Sequence, residues 1–130
     1  MEETTTIPKG SDEGNIWILE DDPDIGYILQ LILNEEGFET TLFNSAVTFR
    51  IAIARELPDL LLMDVMLPDG NGEELCAEIK NDRRSEHLPV LMMSAHARLE
   101  QITKHCAADG FISKPFDLTR LLAIVHQQLS

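Results

Sequence analysis

Four apolar residues, Leu60, Leu61, Leu62 and Met63, run without interruption into one carboxylate, Asp64, before the chain turns at Pro68, Asp69 and Gly70. A strand with one wet face alternates apolar and polar residues, so an unbroken run bounded by turn residues predicts a strand covered on both faces. Covering both faces takes a parallel sheet with helices above and below it, and parallel neighbours must be joined by long crossovers.

The rest of the chain has the pattern such crossovers need. Residues 16–19 predict a first strand, and Ile25, Ile28, Leu29 and Ile32 then recur at helical spacing until Gly37, behind Asp22 and Pro23 as N-cap and first-turn residues. Residues 39–43 predict a second strand. The helix after it starts at Asn44 or Ser45, carries Ala46, Phe49 and Ile53 on one face, and ends where Pro58 restricts Leu57. Beyond the 60–64 run, Asn71 caps a third helix with Leu75 and Ile79 inward, and residues 90–93 form a fourth strand. Leu99, Ile102 and Cys106 mark a fourth helix, and Phe111 and Ile112 a fifth strand. Asp117 caps a fifth helix with Leu118, Leu121, Leu122, Val125 and Leu129 inward. The strict alternation predicts an α/β fold of (βα)5 type: a doubly wound five-stranded parallel sheet with helices on both faces.

Composition sets the remaining bounds. A chain of 130 residues that is 44% hydrophobic is sized for one domain, expected over 15–130. Residues 1–14, with Pro8, Gly10, Ser11 and Gly14 and no periodicity, read as a flexible N-terminal tail. A net charge of −13, with Arg83 and Arg84 as the sole basic pair, argues against a nucleic-acid partner. No apolar stretch approaches the ~20 residues of a membrane span, and the acidic start lacks a basic leader, so a cytoplasmic protein without a membrane partner is expected. Cys76 and Cys106 lack CxxC spacing and read as reduced packing residues; His87, His96, His105 and His126 lack ligand spacing, so no zinc site is expected.

In an open parallel sheet, ligands bind beyond the carboxyl ends of the strands. The predicted strand ends bring Glu20, Asp21 and Asp22, then Asp64, then Ser94 and Ala95, then Lys114 and Pro115 to one rim. Each has a plainer reading alone: Asp22 as a helix cap, Ser94 as a cap of the fourth helix, Lys114 as a solvated loop lysine. Together they pose an electrostatic problem, because clustered carboxylates repel one another where the dielectric is low. Mg²⁺ solves it by taking one or two carboxylates while keeping room for water and a phosphate oxygen. Lys114 adds a fixed positive charge, and the combination suits a phosphoryl group.

Glu20-Asp21 within ILEDDPD, Asp64 within LLLMDVMLPDGNG, Ser94-Ala95 within VLMMSAH, and Phe111 with Lys114-Pro115 within DGFISKPF occur in this order. With these blocks the sequence, over residues 15–129, resembles the receiver domain of two-component response regulators. The resemblance implies the flavodoxin-like, CheY-like form of the fold, phosphorylation on Asp64, and Mg²⁺ held by Asp21, Asp64 and the Met66 carbonyl, with Glu20 acting mainly through water. It implies phosphoryl contacts from Ser94, Ala95 and Lys114, a switch formed by Ser94 and Phe111, and a cis peptide before Pro115. The implied donor is a histidine kinase or phosphotransfer protein. The implied readout is a downstream protein or a second copy, bound on the face of the fourth helix, fifth strand and fifth helix, with Arg98, Lys104 and His105 on it. Catalysis would extend only to the domain's own phosphotransfer and dephosphorylation, and the stop at Ser130 suggests a single-domain regulator.

Departures from the family pattern carry expectations of their own. Serine stands at position 94 where threonine is frequent, and keeps the hydroxyl. The short stretch 94–114 predicts a short or displaced fourth helix, and Gly70 predicts a looser loop after Asp64. Two other readings compete. An Mg²⁺-dependent aspartyl-phosphate phosphatase would need an acid two residues after the nucleophile, where Met66 stands. A phosphate-independent docking domain would lack one of Glu20, Asp21, Asp64 or Lys114, and all are present.

Overall fold

The 60–64 run owes its double burial to its place in the middle of a sheet. The computed structural model describes residues 4–7, 14–95, 107–115 and 117–129. Its strands are β1 (Thr4–Ile7), β2 (Asn15–Leu19), β3 (Glu39–Phe43), β4 (Leu60–Asp64), β5 (Met66–Leu67), β6 (Gly70–Asn71), β7 (Val90–Ala95) and β8 (Gly110–Lys114). Its helices are α1 (Pro23–Glu35), α2 (Ala46–Ile53), α3 (Gly72–Lys80) and α4 (Leu118–Leu129), the last being the fifth helix of the sequence reading. The fourth helix expected around Leu99, Ile102 and Cys106 lies outside the described residues, as do Arg98, Lys104 and His105.

The strands β3, β2, β4, β7 and β8 are hydrogen-bonded in that order and all run parallel. This is the doubly wound five-stranded sheet that the alternation predicts. The structure corrects the sequence reading at the N-terminus. Within the supposed tail, β1 pairs antiparallel with β3, Thr4 opposite Phe43 and Ile7 opposite Thr40, and makes the sheet six-stranded. Its three threonines and an isoleucine are β-branched strand formers, but an edge strand held by backbone pairing needs no apolar period by which to be recognised.

Alternate residues of the central strands feed two separate cores, as the period of two requires. Trp17, Leu19, Leu61, Met63, Val90 and Met92 face one layer with Phe49 of α2 and Leu75, Cys76 and Ile79 of α3. Ile16, Ile18, Leu60, Leu62, Leu91 and Met93 face the other, with Leu29 and Leu33 of α1 and Leu121 and Val125 of α4. β4 is buried throughout because it is flanked by β2 and β7 and covered on both sides.

The helix starts follow local chemistry. The Asp22 side chain accepts from the N–H groups of Asp24 and Ile25, Ser45 from Thr48, Asn71 from Glu73 and Glu74, and Asp117 from Arg120. The apolar faces depart from expectation at two places: Ile28 and Leu118 are exposed, not inward. In α1 the inward stripe runs through Gly26, Leu29 and Leu33. A Cβ on Gly26 would lie 2.7 Å from Leu42 Cδ2, so the helix lies close on β3 at that point, and Ile28, about 100° round from Leu29, is turned outward. α2 also ends at Ile53, well before Pro58, in turns that bond Arg55 and Glu56 back to Ala52. No described helix is long and apolar enough to cross a membrane.

Trp17 anchors the first core, its ring centroid 5.0 Å from that of Phe43 and 6.3 Å from that of Phe49. Trp17→Ala should cost about 3–5 kcal/mol of stability, read as a lowered urea midpoint by far-ultraviolet circular dichroism.

Candidate functional site

Glu20 follows β2 directly and Asp64 closes β4, so two adjacent parallel strands deliver carboxylates to the same rim. Lys114 closes β8, which is separated from β4 by β7. The lysine's four-carbon stem spans that gap. Its Nζ donates to Glu20 Oε1 at 2.6 Å and to Asp64 Oδ2 at 2.8 Å.

The other two oxygens are also engaged. Asp22 N–H donates to Glu20 Oε2 at 3.2 Å, and Met66 N–H to Asp64 Oδ1 at 3.2 Å. Glu20 is 1% exposed and Asp64 7%, depths at which an unpaired carboxylate is expelled or protonated. Burial is the main reason that the Glu20 carboxyl is pushed up to about 7; the neighbouring Asp64 adds to the effect, and the Lys114 ammonium opposes it. Burial alone would lower the Lys114 ammonium, but hydrogen bonds to Asp64 and Glu20 outweigh it and hold it above the usual lysine value.

Oxygens of Glu20, Asp21 and Asp64 all lie within 4.8 Å of one another, with Asp21 exposed to solvent. Three carboxylates against one ammonium leave an excess of negative charge when all are ionised. An all-oxygen set with one open, solvent-facing member matches what a hard divalent cation takes, and a cation there would favour the ionised Glu20 that burial disfavours. The donor set fits Mg²⁺.

Ser94 reaches the same rim, 5% exposed in β7 and opposite Ser113 of β8, but no hydrogen bond joins it to Glu20, Asp64 or Lys114. Ala95 pairs with Lys114 along the backbone. Phe111 is partly buried and packs on the Trp17 core. The Lys114–Pro115 peptide is cis. Asp22 is on the rim mainly as the α1 cap.

Sequence reasoning missed Asp69 and misjudged Gly70. β5 and β6 pair as a small antiparallel hairpin between Asp64 and α3, with Asp69 in its turn. Both Asp69 oxygens accept from the start of α2: Ala46 N–H at 2.7 Å and Val47 N–H at 3.1 Å. A Cβ on Gly70 would lie 3.2 Å from that of Ala46, so glycine lets the hairpin sit close on α2 where a loose loop was expected. Gly72, at the hairpin's other end, is fixed more tightly, since a Cβ there would lie 2.4 Å from the Asp64 carbonyl oxygen. The one sequence hint of Asp69 was an Asp-Gly turn, which says nothing about a distant helix.

A family model described as the response regulator receiver domain matches residues 16–126. The DNA-binding transcriptional regulator NtrC of Escherichia coli (strain K12) is 32% identical over 119 residues, which are 90% of this chain and 25% of that protein. The chain thus spans about a quarter of the length of such relatives. Among solved structures, the signal receiver domain of a signal transduction histidine kinase from Syntrophus aciditrophicus superposes with a TM-score of 0.83 at 30% identity, covering 89% of each chain. The receiver domain of NtrX from Brucella abortus gives 0.80 at 32%, covering 88% of this chain and 97% of that one.

Removing the ammonium tests the site's electrostatics without any ligand. Lys114→Met should leave two facing buried carboxylates and cost about 3 kcal/mol. Adding Glu20→Gln should recover part of that loss, measured by urea denaturation of all three proteins without metal.

Proposed function

The chain belongs to the response regulator receiver domain family, the receiving side of two-component signalling, and from that premise we propose that it is switched by a phosphoryl group carried on Asp64. The observation that carries the assignment is the position of that carboxylate: at the rim, within 2.8 Å of the Lys114 ammonium and beside Glu20 and Asp21.

An Asp64 oxygen forms the new bond to phosphorus as the bond to the donor's leaving group breaks, and that group departs with the electron pair. A carboxylate has no proton to lose first, so the domain's part is placement and electrostatics. Met66 N–H orients one Asp64 oxygen, and Lys114 offers its N–H donors to the equatorial phosphoryl oxygens. Ser94 and the backbone at Ala95 complete the phosphoryl contacts. Asp21, Asp64 and the Met66 carbonyl would hold Mg²⁺, with Glu20 acting through water. Once bound there, Mg²⁺ supplies positive charge where the transferring group develops negative charge. The acyl phosphate formed is labile, so the domain's own chemistry both sets and ends the signal.

Receiver domains of this family act with histidine kinases, and we assign the donor here to a histidine kinase or phosphotransfer protein in the cytoplasm. The readout is assigned to Ser94 and Phe111, on adjacent parallel strands. Drawing the Ser94 hydroxyl toward a phosphoryl oxygen opens space for the Phe111 ring and reshapes the face that includes β8 and α4, where a downstream protein or a second copy binds. A shift of this kind needs only a few kcal/mol of differential interaction.

Incubation with acetyl phosphate and Mg²⁺ should add one phosphoryl group labile to hydroxylamine, and both Asp64→Asn and a chelator should abolish the mass increase. Undiminished labelling of Asp64→Asn by intact mass would refute the site. Ser94→Ala should still be labelled, yet lose most of the amide chemical-shift change that beryllofluoride produces around Phe111 in the wild type.

A further inference from the structure

The start of α2 is capped twice. Ser45 Oγ accepts from Thr48 N–H at 3.3 Å, the usual local cap, and this leaves the N–H groups of Ala46 and Val47 without a local acceptor. Asp69, 23 residues beyond Ala46, takes both. A helix that needed only a better cap could obtain it from its own flanking residues. The distant carboxylate does something a local one cannot: it fixes the tip of the β5–β6 hairpin to a helix of the Trp17 core.

The hairpin is short enough for that tether to matter. Its first residue, Met66, stands opposite Asn71 and donates its N–H to Asp64 Oδ1. Its far end is tied down by Gly72 N–H donating to the Val65 carbonyl at 2.8 Å, and by Asn71 capping α3. Leu67 packs on the Trp17 core, and the tip, at Pro68 and Asp69, is held to α2 by the two Asp69 hydrogen bonds. The Asp69 carboxyl lies below the usual carboxylate range, chiefly because of the Ala46 N–H bond, so it is ionised at neutral pH and also faces the positive end of the α2 dipole.

We propose that Asp69 is a positioning residue for the phosphorylation site: by clamping the hairpin tip to α2 it sets the Met66 backbone, and through it the orientation of Asp64. The inference rests on the role given to Asp64 and Met66 above. It adds a residue that touches neither the phosphoryl group nor the metal.

The test compares Asp69→Ala, Asp69→Asn and Ser45→Ala in the whole chain. Asp69→Ala should raise the Mg²⁺ concentration for half-maximal acetyl phosphate labelling about fivefold, while the rate at saturating Mg²⁺ changes by less than about twofold. In the metal-free protein it should speed hydrogen exchange of the Met66 amide by a similar factor. Asp69→Asn, which keeps an acceptor for Ala46 N–H, should restore both values to within about twofold. Ser45→Ala weakens α2 without touching the hairpin, so it should lower thermal stability and leave the Mg²⁺ midpoint and Met66 exchange as in the wild type. Wild-type Met66 exchange in Asp69→Ala, or an equal change in Ser45→Ala, would overturn the proposal. If the wild type takes no phosphoryl group at all, the functional reading fails, while the metal-free exchange still decides whether Asp69 holds Met66.

Discussion

Two carboxylates buried side by side at the end of a parallel sheet are tolerable only because one ammonium reaches both. That contact joins β8 to β2 and β4 across the intervening β7, so it depends on the register of the whole sheet. A slip of one residue in β8 would turn Lys114 to the opposite face and leave Glu20 and Asp64 to repel each other. The packing of β8 opposes the slip, because the same shift would carry Ile112, its one buried residue, out of the α1–α4 core. The hydrophobic pattern and the charged site therefore specify one register between them.

Around that contact the rim divides into a fixed part and a freer part. Each oxygen of Glu20 and Asp64 has a donor in place, and the hairpin after Asp64 is held at both ends. Ser94 is close by but outside this network, and Phe111 lies only partly buried against the neighbouring core. In the proposed role, a phosphoryl group arriving at Asp64 would meet a preorganised set of charges, which favours transfer. Ser94 would then respond to it without breaking a bond that the rest of the site requires.

What could be read in the sequence was what is local in the chain. Asp22, Ser45, Asn71 and Asp117 cap helices through residues two or three positions away, and the double-faced burial of β4 follows from its own composition. Glu20, Asp64 and Lys114 could be placed on one rim because the fold class puts parallel strand ends together. Relations set by packing between distant elements stayed hidden. Ile28 fits a helical stripe as well as Leu33 does, and only the close approach of Gly26 to Leu42 decides which faces inward. Asp69 reads as a turn residue because nothing near it in sequence marks the helix it serves. The strand at Thr4–Ile7 was hidden for the same reason, since its partner Glu39–Phe43 is more than thirty residues away.

That first strand also makes the sheet asymmetric. A five-stranded parallel sheet would present open backbone at β3 as well as at β8; with β1 laid antiparallel along β3, that edge is taken by the chain itself. Addition of a foreign strand at β3 would have to displace the N-terminus first. The opposite side of the sheet ends in β8, the strand that carries both Phe111 and Lys114. The two margins of the sheet therefore differ in kind: the outer strand on one side is an antiparallel run rich in threonine, and on the other it is the parallel strand that belongs to the site.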